Sequence, residues 1–176
     1  MDPPNVVLPP SSGADDGRSA PDASSDLTIS DVIASERRIN IFSGFTRDIG
    51  TVSKRLEDGG QNSTIVAPDN SHIMKLPRKP WEDPRDYQEL GADAYSGNDG
   101  EDRAHRNLRR FVEAHIIPES PWAEGKKVQT LVGSTVWWEQ KDGKRFIQPG
   151  NVEVDNVANT VSNGEVWILK GVLNYQ

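Results

Sequence analysis

Three histidines are the side chains of this 176-residue chain best suited to bind a metal or transfer a proton near neutral pH: His72, His105 and His115. A metal site or an acid–base site needs two or three such groups at one place. No pair of these histidines has the His-x-x-x-His spacing, and the His-Glu-x-x-His motif is absent. We therefore expect no metal site, and the apolar neighbours of His115 favour a buried, hydrogen-bonded helix residue.

Pairs of carboxylates are the second possible source of chemistry, because glycosidases use two acidic residues. Such pairs occur at Glu82-Asp83 and Glu101-Asp102, but both stand where a helix N-terminus favours negative charge. The Gly-x-Ser-x-Gly motif and the glycine-rich nucleotide-binding motifs are absent. We therefore expect that the protein is not an enzyme and needs no cofactor.

The overall composition excludes several other functions. The chain has 27 acidic against 20 basic residues, a net charge of −7, and no cysteine. This charge opposes broad binding to nucleic acid, and the lack of cysteine excludes a disulfide scaffold. The longest apolar run, Val166–Leu169, has four residues, whereas a membrane helix needs about 20. We expect no nucleic-acid partner and no transmembrane segment in this chain.

A short basic segment, Leu76–Trp81, is the strongest candidate for a partner surface. Its residues Arg78, Lys79 and Trp81 combine positive charge, stiffness from neighbouring prolines and a large aromatic ring. The expected partner is an acidic protein, or an anionic lipid or polysaccharide.

The five tryptophans leave a second function open, that of a carbohydrate-binding module that stacks an exposed ring on a glycan. Trp137 and Trp138 are consecutive in a predicted strand and must point to opposite faces of the sheet. One of them is therefore expected in the core and the other nearer to solvent.

The elements that position these residues follow from the pattern along the chain. Residues 1–26 form an acidic tail rich in Pro and Ser, with a composition typical of disorder, and 27–176 form the predicted folded domain. Helices are predicted from Thr28 to about Gly59 and from about Asp102 to Ile116, and most strands follow Val128. Helices followed by strands joined in hairpins predict an α+β domain with a largely antiparallel sheet.

Four segments together resemble the fasciclin-like domain family. Thr64–Asn70, which contains Thr64, Pro68 and Asp69, is similar to the first signature of that family. Ser162–Leu173, which contains Asn163, Gly164 and Trp167, is similar to the second. Between them, Leu108–Pro118 is similar to the Tyr-His segment of the family, and Thr130–Gly133 to the Thr-Leu-x-Gly step that opens its β half. The four follow one another in the order of the family, and the match extends over Leu27 to Tyr175.

Three substitutions in these segments, together with the long polar stretch between Leu76 and Leu108, resemble divergent fungal members of the family more than animal ones. Trp167 replaces the usual His of the second signature, Ala114 replaces the Tyr of the Tyr-His pair, and Val66 replaces the Phe of the first signature. We expect Trp167 to fill the core, and Asp69 to cap the helical turn that follows the first strand.

The resemblance implies a fold and a function. The fold is a compact wedge, with an antiparallel β-sandwich-like half flanked by N-terminal and further helices. The function is non-catalytic adhesion or interaction at a cell surface, a cell wall or the vacuole, with a protein or a wall or matrix component as partner. The resemblance also makes His115 a candidate contact residue, but without the Tyr of the pair it does not extend to integrin binding.

One further site bears on localisation. Asn62-Ser63-Thr64 is an acceptor sequence for N-glycosylation and favours the secretory route. Residues after Met1 have neither the basic nor the apolar region of a signal peptide, so either the protein is cytosolic or such a peptide was trimmed. Together with the family resemblance, we expect the secretory route and a trimmed peptide.

Overall fold

The computed structural model describes residues 26–175, so the prediction for residues 1–26 lies almost wholly outside the described part. The α-helices are α1 (Ile29–Ile33), α2 (Asn40–Asp48), α3 (Gly50–Glu57), α4 (Asn70–Met74), α5 (Pro84–Leu90) and α6 (Gly97–Glu113), with 3-10 turns at Arg37–Ile39 and Gly91–Asp93. The strands are β1 (Ser63–Pro68), β2 (Ile116–Ile117), β3 (Val128–Gln129), β4 (Thr135–Lys141), β5 (Lys144–Gln148), β6 (Val152–Val161) and β7 (Gly164–Leu169).

Helix α6 is longer than the sequence predicts. It begins at Gly97 instead of about Asp102, after the extended N-cap residue Ser96. Its first turn packs tightly on the preceding chain, because a Cβ on Gly100 would lie 2.2 Å from the carbonyl carbon of Tyr95. This local close approach requires a glycine at position 100, and the first turn runs through a polar stretch without the apolar periodicity used to predict helices.

The strands form one seven-stranded sheet in the order β2-β1-β7-β6-β5-β4-β3. Five of the six pairings are antiparallel, and β1 and β7 are parallel from the pair Ser63 and Gly164 to the pair Pro68 and Leu169. Just after β3, the Leu131 N–H donates to the Ile116 carbonyl in β2 at 3.1 Å, which links the two sheet edges into a near-barrel. The α+β class is confirmed, while the sandwich-like half is in detail a nearly closed mixed sheet.

Strands β1 and β7 are buried on both faces, so they separate two apolar cores. Ile65 and Ile168 belong to the core beneath the helices. Val66 and Trp167 belong to the core inside the near-barrel. Alternation of side chains along a strand therefore supplies both cores at once, and this explains the continuous apolar runs in the two segments.

Asn163 connects these central strands to the helices. Its side chain is completely buried, and its Oδ1 accepts the backbone N–H of Ile29 at 2.8 Å. Its Nδ2 donates to the carbonyls of Leu56 at 3.0 Å and Asp58 at 3.2 Å. One amide thus holds the start of α1 and the end of α3 against the start of β7.

Gly164 allows β1 to approach β7 at the same point. A Cβ at this position would lie 1.7 Å from the carbonyl oxygen of Ser63. The glycine also has φ +150°, a value rarely adopted by residues with a side chain.

We expect Asn163→Ala to lower the free energy of unfolding by about 3 kcal/mol, because the substitution leaves buried backbone groups without partners. Urea unfolding followed by circular dichroism measures this change. Asn98→Ala is the matched control at an exposed position of α6, with an expected effect within about 0.5 kcal/mol. Equal stability of the Asn163→Ala and Asn98→Ala proteins would show that the amide does not connect helices and sheet.

Candidate interaction surface

Three basic side chains between α4 and α5 form the basic surface, defined as Lys75, Arg78 and Lys79. All three are exposed. Among the described residues, none of them has a carboxylate within the 4.0 Å of an ion pair. Their charges are therefore available to a partner, in contrast to Arg85 and Arg110, which both pair with Asp83.

Trp81 anchors the C-terminal end of this segment. It is half-buried, packs against the core beneath the helices and contacts Phe45 edge to face, with ring centroids 6.4 Å apart. Its carbonyl accepts a hydrogen bond from Nδ2 of Asn107 at 3.0 Å. Trp81 stays a predicted contact residue, with part of its side chain packed on the core and part exposed.

Glu82 closes the segment. Its Oε1 accepts the backbone N–H of Lys79 at 2.8 Å, and it also accepts a hydrogen bond from the Tyr87 hydroxyl. The hydrogen bond from Tyr87, the one from Lys79 and the nearby charges of Lys79 and Arg78 lower the pKa of Glu82. The carboxylate thus stays ionised and fixes the backbone that presents the bases.

Asp69 fixes the N-terminal side of the segment as the predicted cap. Its Oδ1 accepts the backbone N–H of His72 at 2.9 Å and contacts Nδ1 of the same residue at 2.7 Å. Burial alone would raise the pKa of Asp69, but hydrogen bonds from His72 and Ser71 outweigh it and lower that pKa. The predicted cap is confirmed, and Asp69 holds α4 at the exit of β1.

The other residues of the two signature segments are structural. The Thr64 hydroxyl donates to the Glu119 carbonyl at 2.7 Å, and Pro68 pairs with Leu169 at the end of the parallel ladder. Trp167 is 1% exposed and stacks on Trp122, with ring centroids 5.4 Å apart, so it fills the core as expected.

Arg145 is a residue that sequence reasoning missed. Its guanidinium lies over the rings of Trp138 at 4.3 Å and Trp167 at 4.8 Å. The hairpin register could have revealed this contact, since Trp138 pairs with Ile147 and Arg145 is therefore its diagonal neighbour. Such cation–π contacts stabilise the barrel interior.

The structure corrects the expectation that His115 contacts a partner. His115 is completely buried, so only its interpretation as a buried, hydrogen-bonded residue fits, although it lies in the turn just after α6 and not in the helix itself. Its Nδ1 lies 2.8 Å from the Phe111 carbonyl, and its Nε2 accepts the backbone N–H of Leu173 at 2.9 Å. The ring is therefore neutral, with the proton on Nδ1, and it holds the C-terminal segment against α6.

Burial lowers the pKa of His115 to about 4, although the hydrogen bond to Phe111 acts in the opposite direction. Because the unfolded chain titrates near 6.5, it binds a proton between these two pH values while the folded protein does not. The contribution of the neutral ring to stability is complete above pH 6.5 and is lost as the pH falls towards 4.

We expect the unfolding free energy of the wild type to fall by about 3 kcal/mol more than that of His115→Gln between pH 6.5 and pH 4. Glutamine keeps an acceptor but does not titrate, and the acidic groups common to both proteins cancel in the difference. Urea unfolding at a series of pH values gives both profiles. The control is His105→Gln at an exposed position, whose profile should follow the wild type; parallel profiles for wild type and His115→Gln would contradict the assignment.

The carboxylate pair Glu82-Asp83 has the structural place expected for it. Asp83 caps α5 by accepting the Arg85 backbone N–H at 2.8 Å. Hydrogen bonding to Arg85 lowers the pKa of Asp83 to about 2, in spite of the opposing effect of burial. A carboxylate held so far below neutral pH and occupied by two arginines is a poor general base.

Two further searches cover the described residues only. Within 26–175, no three His, Asp or Glu side chains come together in a way that could hold a metal ion. In the same range, none of the helices has the length and apolar character needed to cross a bilayer.

Comparison with curated proteins identifies the family, although no protein-family model matches the chain. A FAS1 domain-containing protein of Neurospora crassa is 56% identical over 170 residues, covering 96% of this chain and 75% of the relative. One of Aspergillus fumigatus is 56% identical over 149 residues, covering 84% of this chain and 64% of the relative.

The fold comparison agrees with the sequence comparison. A FAS1 domain pair from the insect cell adhesion molecule fasciclin I has a TM-score of 0.60 and 13% identity, covering 85% of this chain and 51% of that structure. Because the two sequences are only 13% identical, this similarity shows the fold alone. The chain belongs to the family of FAS1 domain-containing proteins, and the two sequence relatives, from Neurospora crassa and Aspergillus fumigatus, are fungal.

Proposed function

We propose that this domain is a non-catalytic adhesion or interaction module that holds an acidic partner on its basic surface. The observation that carries the proposal is the group of three exposed bases without ion-pair partners among the described residues, in a chain of net charge −7. On such a chain, a local group of unpaired positive charges is a feature that an acidic partner can recognise. The proposed partner is an acidic protein or a cell-wall or matrix component. An anionic lipid or glycan also carries negative charge and is therefore compared in the experiment below.

Two observations support a binding role: the fold similarity, and the structural use of the titratable residues Asp69, Asp83 and His115. The fold relative comes from an insect cell adhesion molecule, and adhesion is carried over to this chain as part of the proposal. Asp69 and Asp83 are used in helix capping, and the buried His115 is used in holding the C-terminal segment. Such groups stabilise a rigid scaffold on which a surface can bind a partner.

The alternative function, carbohydrate binding through an exposed Trp, has weaker support. Trp138 is buried and Trp137 is half-buried, as their alternation predicts. The Lys127 ammonium lies 5.0 Å from the centre of the Trp137 ring and covers it. A glycan would have to displace this cation before it could stack on the indole.

Charge reversal tests the basic surface. Binding of the purified chain to isolated fungal cell walls, to immobilised polyaspartate and to vesicles with phosphatidylserine is compared with that of Arg78→Glu/Lys79→Glu. We expect at least about tenfold weaker binding to the target that the wild type prefers, because each base near an anionic surface contributes about 1 kcal/mol. The three targets distinguish wall, protein and lipid as the source of negative charge.

Lys54→Glu/Lys141→Glu is the matched control. Both lysines are exposed and, within 26–175, have no ion pair, so the control makes the same change in net charge elsewhere. We expect it to bind within about twofold of the wild type, since a specific surface depends on where charge lies. If both double variants weaken binding equally, binding depends on net charge alone, and the basic surface is not the binding site.

Asn62 tests the proposed secretory route. The side chain is exposed just before β1, and its Nδ2 makes only a long contact of 3.4 Å with the Ser120 carbonyl. In a fungal secretion host, we expect the chain to carry an N-glycan that Asn62→Gln removes, seen as a loss of mass equal to that produced by peptide N-glycosidase. Identical masses of the two secreted proteins would show that Asn62 is not an acceptor.

A further inference from the structure

A groove at one end of the near-barrel has an unusual chemical character. Its volume is about 460 Å³, within the ~300–1,000 Å³ of small-molecule sites. Its lining residues all lack a charged side chain: Ala114, Thr130, Ser134, Thr135, Val136, Gln148, Pro149, Gly150, Val152, Val172, Leu173 and Asn174. Since 27% of the residues of the chain are charged, an uncharged groove of this size is distinct from the rest of its surface.

Gln148 contributes a side-chain amide to the lining of the groove. It is 9% exposed, and its Nε2 donates to Oδ1 of Asn151 at 2.9 Å, a bond that orients the amide. Its Oε1 has no hydrogen-bond partner among the described residues and is open to solvent, since it is not one of their buried unpaired atoms. A ligand that donates a hydrogen bond can satisfy this acceptor, whereas a ligand without a donor would bury it unpaired at a cost.

Hydroxyl groups line the same groove. Thr130 accepts the backbone N–H of Ser134 at 3.3 Å, which leaves its own O–H free to donate. In the described part of the chain, the hydroxyls of Ser134 and Thr135 have no protein partner, and both residues are exposed. The groove therefore offers neutral donors and acceptors within one small volume.

The apolar part of the lining is rigid. Ala114, Val136 and Leu173 are buried beside the groove. The backbone of Leu173 is fixed by its hydrogen bond to His115. A ligand thus meets a preformed apolar surface beside the hydroxyl and amide groups.

We propose that this groove binds a neutral sugar, as a monosaccharide or as a short unit of a neutral glycan. A charged ligand would lose its hydration without gaining a counter-charge. A purely apolar ligand would leave the amide oxygen of Gln148 and the hydroxyls unpaired. A sugar offers hydroxyl groups for the polar lining and C–H faces for Val136, Val172 and Leu173, and it needs no tryptophan. The proposed site shares no residue with the basic surface, so either can fail without the other.

Titration followed by ¹H–¹⁵N NMR tests the groove in the full chain, with methyl α-mannoside, mannobiose, maltose and cellobiose as probes. We expect saturable shifts for backbone amides in residues 134–136, 148–150 and 172–174 and for the side-chain amide of Gln148. Probe concentrations up to about 50 mM are sufficient for a weak ligand with a Kd of ~1 mM. An absence of saturable shifts with all four probes would overturn the proposal.

Two near-isosteric variants assign the contacts. Thr135→Val and Gln148→Leu should each weaken binding of the best probe about fivefold, the usual effect of losing one hydrogen bond. Thr160→Val is the control, since Thr160 is an exposed strand threonine outside the groove, and its affinity should equal that of the wild type. Affinity unchanged in both groove variants, or groove shifts caused by an uncharged peptide and by none of the sugars, would overturn the assignment to a sugar.

Discussion

The parallel pairing of β1 with β7 is the constraint on which the rest of the structure depends. These two strands are the second and third in the order of the sheet, lie between two apolar cores and contain most of the two signature segments. Asn163 and Gly164 bring them together, one through buried hydrogen bonds and the other through the absence of a side chain. Asp69 and Asn163 then attach helices at opposite ends of the pair, so errors in this pairing would displace both helical regions.

Much of this arrangement was predictable from local patterns, because those patterns follow from short-range physics. The cap at Asp69, the proline start of α5 and the Asp142-Gly143 hairpin each depend on neighbouring residues. The α+β class followed from the order of helices and strands, and the family resemblance added the particular fold and the core position of Trp167. The parallel partner of β1 was not predictable from periodicity, since a strand buried on both faces has the same pattern in either direction.

The two proposed binding surfaces differ in how far they could be predicted from the sequence. The basic residues Arg78 and Lys79 were found because charge in a loop is visible in sequence. The groove was missed because its lining comes from the residue after α6, the β3–β4 and β5–β6 connections with the adjoining strand ends, and the C-terminal segment, and because Thr, Ser and Gln give no local signal. His115 was proposed for two roles, and only burial, a property of the folded chain, decides between them.

The long separation between β1 and β7 also affects how the domain is made. Ser63 must find Gly164 across most of the folded region, so the central ladder contributes a high contact order and closes slowly. A ribosome releases the N-terminal helices and β1 well before β7, and until then the edge of β1 that pairs with β7 has no hydrogen-bond partners. The nascent domain therefore has a window in which chaperones can act on it, and that window ends only when the last strand emerges.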